Sequence, residues 1–281
     1  MKTRTGQRLV GDVLTYLVFV LALVFFGGPL LWVLSLSIRT QPEVFITSLR
    51  LIPEAPTLEN YVEVLVSAQF SVYLINSLKL AVAGSIGAMV VSAPAAYAFS
   101  RLDFRGNGAL LIGVLALQMI SPLVIAIPLY RYFARLNVLD SHLSTAMVYI
   151  AILVPLATWM LKGFFDGIPQ ALDDAAMVDG CTRFGAFRRI TLPLILPGLT
   201  SVFVLTAILA WAEFTVPYVL LSEPSLLPVS VGILNFQGNY ASTSPNVLAA
   251  GGVLAMLPAI ATFVILQRFI VRALTSGAVK G

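Results

Sequence analysis

Glu213 is the first residue to weigh for chemistry. It lies in an apolar run, 199–221, where a charge at the centre of a membrane helix costs roughly 2.5 to 3.5 kcal/mol on insertion scales. Trp211 stands two residues before it and Tyr218 five after. A carboxylate that accepts hydroxyl groups beside aromatic faces suits a polyol; the same carboxylate can instead pair with a basic or amide group on a neighbouring chain. Gln118, Met119 and Ser121 make a polar step midway along another apolar run, and Asn76 opens a third. Each of these reads either as a solute contact or as an interhelical hydrogen bond. Between Glu223 and Asn246 there is no Lys or Arg, while Asn235, Gln237, Asn239 and Tyr240 offer amides and a phenol. Such groups suit a neutral polar solute better than a phosphate or carboxylate, for which Arg is the usual partner.

Other chemistries lack their residues. The chain has one Cys, Cys181, and one His, His142, which excludes an intramolecular disulfide and a Cys/His metal cluster. It has no G-x-S-x-G element and no second His, so no catalytic residue is assigned. It also lacks a G-x-x-x-x-G-K-[ST] phosphate loop, so a nucleotide site has to come from another chain. Arg131 and Arg135 beside Tyr130 and Tyr132 read as a juxtamembrane anchor, and the net charge of +4 is no nucleic-acid footprint.

The elements that must position these residues are membrane helices. Of 281 residues 59% are hydrophobic and 11% charged, against roughly 25% charged in soluble domains. A span needs about 20 apolar residues, and six stretches qualify: 16–36, 80–99, 109–130, 143–161, 199–221 and 247–266. The first follows Lys2, Arg4 and Arg8, but it is too long for a secretory signal and has no convincing cleavage site, so it reads as retained. With both termini in the cytoplasm, most of the 17 Lys and Arg fall inside, as the positive-inside rule requires. The expectation is an all-α integral membrane protein, one six-span domain over 1–281. Pro29, Pro94, Pro122, Pro128 and Pro155 interrupt spans, as packing kinks or as hinges.

One cytoplasmic loop, 164–193, has structure of its own. Pro169 suits a first helical turn, and Leu172, Ala175, Ala176 and Asp179 recur at helical spacing. Gly180 ends that helix, and Thr182 caps a second that runs to about Thr191. The order Asp174-Ala175-Ala176, three residues, Gly180, nine residues, Ile190-Thr191-Leu192-Pro193 resembles the coupling-loop motif of ATP-binding-cassette importer permeases, Glu-Ala-Ala, three residues, Gly, nine residues, Ile-x-Leu-Pro. The only departure, Asp for Glu at 174, keeps the charge. Asn76-Ser77, Tyr97-Ala98, Arg101-Leu102, Trp211-Ala212-Glu213-Phe214 and the ending 274–281 are similar to the carbohydrate-uptake branch, and within it to the maltose- and trehalose-type second permease subunit.

That resemblance implies a role and partners. Asp174, Ala175, Ala176, Gly180, Ile190, Leu192 and Pro193 are then the ATPase-coupling residues, and Gly277, Lys280 and Gly281 belong to a tail that reaches the ATPase. The implied partners are a second, unlike permease, two ATPase subunits that bind ATP and Mg, an extracytoplasmic solute-binding protein, and lipid of a bacterial or archaeal cytoplasmic membrane. The implied solute is a mono-, di- or oligosaccharide; a glycerophosphodiester, polyol or osmolyte is the alternative within the same machine. An ion-coupled secondary transporter is the rival outside it, disfavoured by the scarcity of intramembrane charge and the lack of an evident inverted repeat. The substrate-path candidates are Asn76, Gln118, Ser121, Trp211, Glu213, Tyr218, Asn235, Gln237 and Tyr240.

Overall fold

The computed structural model describes residues 3–45, 50–237 and 244–276, and these are mostly helical, with no strand among them. In chain order the helices are α1 (Thr3–Ser37), α2 (Gln41–Phe45), α3 (Glu59–Val66), α4 (Ala68–Arg101), α5 (Asn107–Ala116), α6 (Pro122–Arg135), α7 (His142–Asp166), α8 (Ala171–Val178), α9 (Arg183–Ala186), α10 (Leu192–Leu194), α11 (Leu196–Ala212), α12 (Thr215–Leu220), α13 (Val229–Gly232) and α14 (Pro245–Ser276). Four segments are long and apolar enough to cross a membrane unaided: Asp12–Ser37, Gln69–Arg101, His142–Asp166 and Pro245–Ile265. The count reaches six if each of two bent helix pairs is one span.

The first bent pair and the break inside the expected span 199–221 each have a proline cause. The expected span 109–130 is instead α5 with a 3₁₀ turn (Leu117–Met119), followed by α6 at 86° to it. Pro122 disfavours the helical conformation at the residue before it, and Ser121 is extended with φ −64° and ψ 132°. The Ser121 hydroxyl then accepts the Leu123 N–H at 3.3 Å and starts α6. The expected span 199–221 is likewise not one rod. A helix running through Glu213 would drive the ring of Pro217 into the Glu213 carbonyl four residues back. The chain turns out of helix there, with Glu213 at φ −67° and ψ 125°, and the freed carbonyl accepts the Ser230 hydroxyl at 2.9 Å and the Tyr149 hydroxyl at 3.5 Å. At its other end α11 meets the Arg183–Leu194 segment at 76°.

The chain divides into two compact units, Met1–Ala68 with Ile233–Met256 and Gln69–Gly232 with Leu257–Gly281. In the first, a buried polar knot holds the end of α1. The Arg39 carbonyl accepts the Asn60 and Asn246 amides at 2.8 and 3.2 Å, Asn246 also donates to the Asn60 Oδ1 at 2.7 Å, and the Arg39 guanidinium lies 5.2 Å from the Trp32 ring centroid. In the second unit α4 and α7 run parallel at close range. A Cβ on Gly87 would fall 2.2 Å from Ile150 Cδ1, so a larger residue here would force the Ile150 side chain to shift. Further along, Ser92 donates to the Val154 carbonyl at 3.2 Å, and Tyr97 packs on Phe165 with ring centroids 5.6 Å apart. α11 runs antiparallel to α7, with Gly198 against Phe164 at one end and Glu213 against Tyr149 at the other.

Candidate functional site

The loop between α7 and α11 folds as a hairpin. α8 spans Ala171–Val178, slightly shorter than the expected 169–179, and ends where Gly180 takes φ +88°, the left-handed turn that favours glycine. Thr182 Oγ1 accepts the Gly185 N–H at 3.1 Å and caps α9, as its position predicts. A π-helical turn, Phe187–Thr191, then leads through α10 into α11. Of the motif residues, Asp174, Ala175, Gly180 and Pro193 are exposed, Ile190 and Leu192 half-buried, and Ala176 buried. Two large apolar side chains stand in the open on the same hairpin, Val178 at 87% and Phe184 at 66%.

The inward face of α8 differs from the one that the apolar spacing suggests. Leu172 and Ala175 are exposed, whereas Asp173 and Ala176, three residues apart, point inward. Asp173 Oδ2 accepts Arg101 Nε at 2.7 Å, with both side chains at most 7% exposed. Its Oδ1 accepts the Tyr97 hydroxyl at 3.3 Å and the Thr191 hydroxyl. Arg101 also donates from Nη2 to the Ile168 carbonyl at 2.8 Å. The Tyr97 ring sits 5.6 Å from that of Phe165 and 5.0 Å from that of Phe187, so aromatic packing surrounds the polar cluster. Asp173 is the functional candidate that the sequence reasoning missed. Its signal was faint: a second Asp beside the motif, placed on the same face as Ala176, with Arg101 ending a span far away in sequence.

Two of the solute-path candidates come together. Gln118 and Glu213 both line a cavity of about 230 Å³ with Pro122, Tyr149, Leu153 and Leu209 among its walls. Gln118 donates to the Ile152 carbonyl at 2.7 Å, and Glu213 Oε1 accepts the Val216 N–H at 3.1 Å at the start of α12. Gln118 also borders a larger apolar cavity of about 660 Å³. The other candidates sit elsewhere. Asn76 is buried and donates to the Ser225 and Leu227 carbonyls at 2.8 and 3.2 Å, pinning the loop after α12. Ser121 is the cap of α6, Trp211 is half-buried, and Tyr218 is exposed and stacked on Phe214 at 5.1 Å. Asn235 is exposed in the other unit. The Gln237 side chain, Tyr240, and the tail residues Gly277, Lys280 and Gly281 lie outside the described residues. His142 Nε2 donates to the Leu226 carbonyl at 2.8 Å. Among the described residues no three His, Cys, Asp or Glu gather as a metal site would require.

A profile described as "Binding-protein-dependent transport system inner membrane component" matches residues 85–276. The trehalose transport system permease protein SugB of Mycobacterium tuberculosis is 35% identical over 254 residues, covering 90% of this chain and 92% of the relative. The sulfoquinovosyl glycerol transport system permease protein SmoH of Agrobacterium fabrum is 33% identical, covering 90% and 88%. The trehalose/maltose transport system permease protein MalG of Thermococcus litoralis is also 33% identical, covering 90% and 91%. Among solved structures, the crystal structure of a bacterial ABC transporter involved in the import of the acidic polysaccharide alginate superposes with a TM-score of 0.76, at 22% identity, over 94% of this chain and 97% of that one.

Proposed function

The chain belongs to the family of binding-protein-dependent transport system inner membrane components, and from that premise we propose that it is a permease subunit of an ATP-driven sugar importer. It lines one half of the path that a mono-, di- or oligosaccharide follows across a cytoplasmic membrane. A second, unlike permease lines the other half, two ATPase subunits bind ATP and Mg on the inner side, and an extracytoplasmic binding protein delivers the solute. Both termini lie in the cytoplasm, and the bent pair α5/α6 and the run of α11 with α12 complete a set of six spans.

The observation that carries this reading is the hairpin. Its motif residues form a helix, a left-handed turn at Gly180 and a second helix, with Val178 and Phe184 uncovered as a seat for a partner. The hairpin is joined covalently to α7 at its start and, through α10, to α11 at its end. A partner ATPase that closes on ATP therefore pulls on two membrane helices at once, and the tail at Gly277, Lys280 and Gly281 adds a second ATPase contact. Across the membrane, the Gln118 amide and the Glu213 carboxylate offer one acceptor-rich step to solute hydroxyls, and the trehalose and maltose names of the relatives support a sugar as the solute.

The test is ATP hydrolysis by the purified complex in the presence of its binding protein and a panel of solutes. Neutral sugars stimulate hydrolysis on this account. Stimulation by glycerophosphodiesters, polyols or osmolytes with none by sugars moves the solute to those classes. Uptake that survives ATP depletion while ion gradients stay intact overturns the importer reading.

A further inference from the structure

We propose that the buried Arg101–Asp173 ion pair is the joint through which the hairpin moves α4, so that the ATPase stroke enters the membrane through a third helix besides α7 and α11. The inference rests on the proposed docking of the hairpin on an ATPase. α4 has no covalent link to the hairpin, and yet its last residue, Arg101, grips α8 through Asp173 at 2.7 Å and the turn entering α8 through the Ile168 carbonyl at 2.8 Å. The second oxygen of Asp173 accepts hydroxyls from Tyr97 on α4 and from Thr191 at the far end of the hairpin. One carboxylate thus ties α4 to both arms of the hairpin.

The setting suits a joint more than a surface ion pair. The two side chains are 7% and 5% exposed, so water and salt screen them little. The other ion pairs among the described residues, Lys162–Asp166 and Arg50–Glu54, are within-helix or within-loop neighbours four residues apart, and they connect no two elements. Tyr97, wedged between Phe165 and Phe187, fills the space in which the joint would otherwise slip. Deeper in the membrane the close approach at Gly87 holds α4 to α7, so the two parallel helices are clasped along their length and both are held by the hairpin at one end.

The test uses the whole complex in proteoliposomes and reads solute moved per ATP hydrolysed. The double variant Arg101→Met/Asp173→Leu leaves no buried charge unpaired, and such replacements preserve folding in many proteins. It should keep the ATPase bound and hydrolysing in response to loaded binding protein, while solute moved per ATP falls about tenfold, within the usual span of coupling between sites. A wild-type ratio makes the pair mere packing and overturns the joint. If the double variant does not assemble, Arg101→Gln/Asp173→Asn decides, since it removes the ion pair while keeping an acceptor for the Tyr97 and Thr191 hydroxyls. A ratio lowered severalfold supports the joint, and an unchanged one overturns it. Failure of the underlying reading shows itself separately, as uptake by the unaltered complex that proceeds without ATP.

Discussion

Gly180 and Glu213 each combine a backbone role with a proposed function, and substitutions can part the two. At Gly180 an added Cβ would meet no atom within 4 Å, so the cost of a side chain is the left-handed φ of +88° alone. Gly180→Val should cost about 1 to 3 kcal/mol of local strain, which the turn can relieve by tilting α8 out of its seat. Uptake should then fall steeply while the variant still inserts and pairs with its partner permease, measured as transport against membrane content. Wild-type transport in Gly180→Val contradicts the coupling assignment. At Glu213 the carboxylate both caps α12 and lines the small cavity. Glu213→Gln keeps an acceptor for the Val216 N–H, so a purely structural role leaves uptake kinetics unchanged. The solute-path reading predicts a shifted apparent affinity or solute preference with normal assembly, read from concentration series of two sugars.

At the scale of elements, the α4–α7 contact offers a direct energetic test. The nearest atoms to a Cβ on Gly87 are Ile150 Cδ1 and Cγ1, at 2.2 and 2.6 Å. Gly87→Ala should therefore destabilise the complex by about 1 to 3 kcal/mol, the usual cost of overpacking. Ile150→Ala removes those atoms, so the double variant should be less destabilised than the sum of the single variants, as the melting temperatures of the detergent-solubilised complex would report. Simple additivity would contradict the close approach. The long helices were legible because a run of apolar residues is all that α1, α4, α7 and α14 require. The two breaks were less so, since hydropathy averages over Pro122 and Pro217, although the clash of Pro217 with the carbonyl of residue 213 is readable from spacing alone. The inward face of α8 was not legible at all. Leu172 looks like a core residue and Asp173 like a surface one until Arg101, Tyr97 and Thr191, remote in sequence, arrive to receive the charge.

For the whole molecule, the family follows from residues 85–276 and from relatives that share most of their length with this chain. Without a phosphate loop the isolated chain should hydrolyse no ATP, and turnover by the pure protein would contradict the division of labour proposed between permease and ATPase. Coupling to ATP requires the hairpin to lie on the cytoplasmic side against an ATPase. Cys181, the single thiol, reports that directly, because it follows Gly180 at the turn of the hairpin and is half-buried. Its reaction with a membrane-impermeant maleimide requires an accessible thiolate. Cys181 should not label in intact cells, should label in inside-out vesicles stripped of the ATPase, and should label more slowly once the ATPase is added back. Labelling from outside in intact cells would contradict the orientation and the importer reading with it.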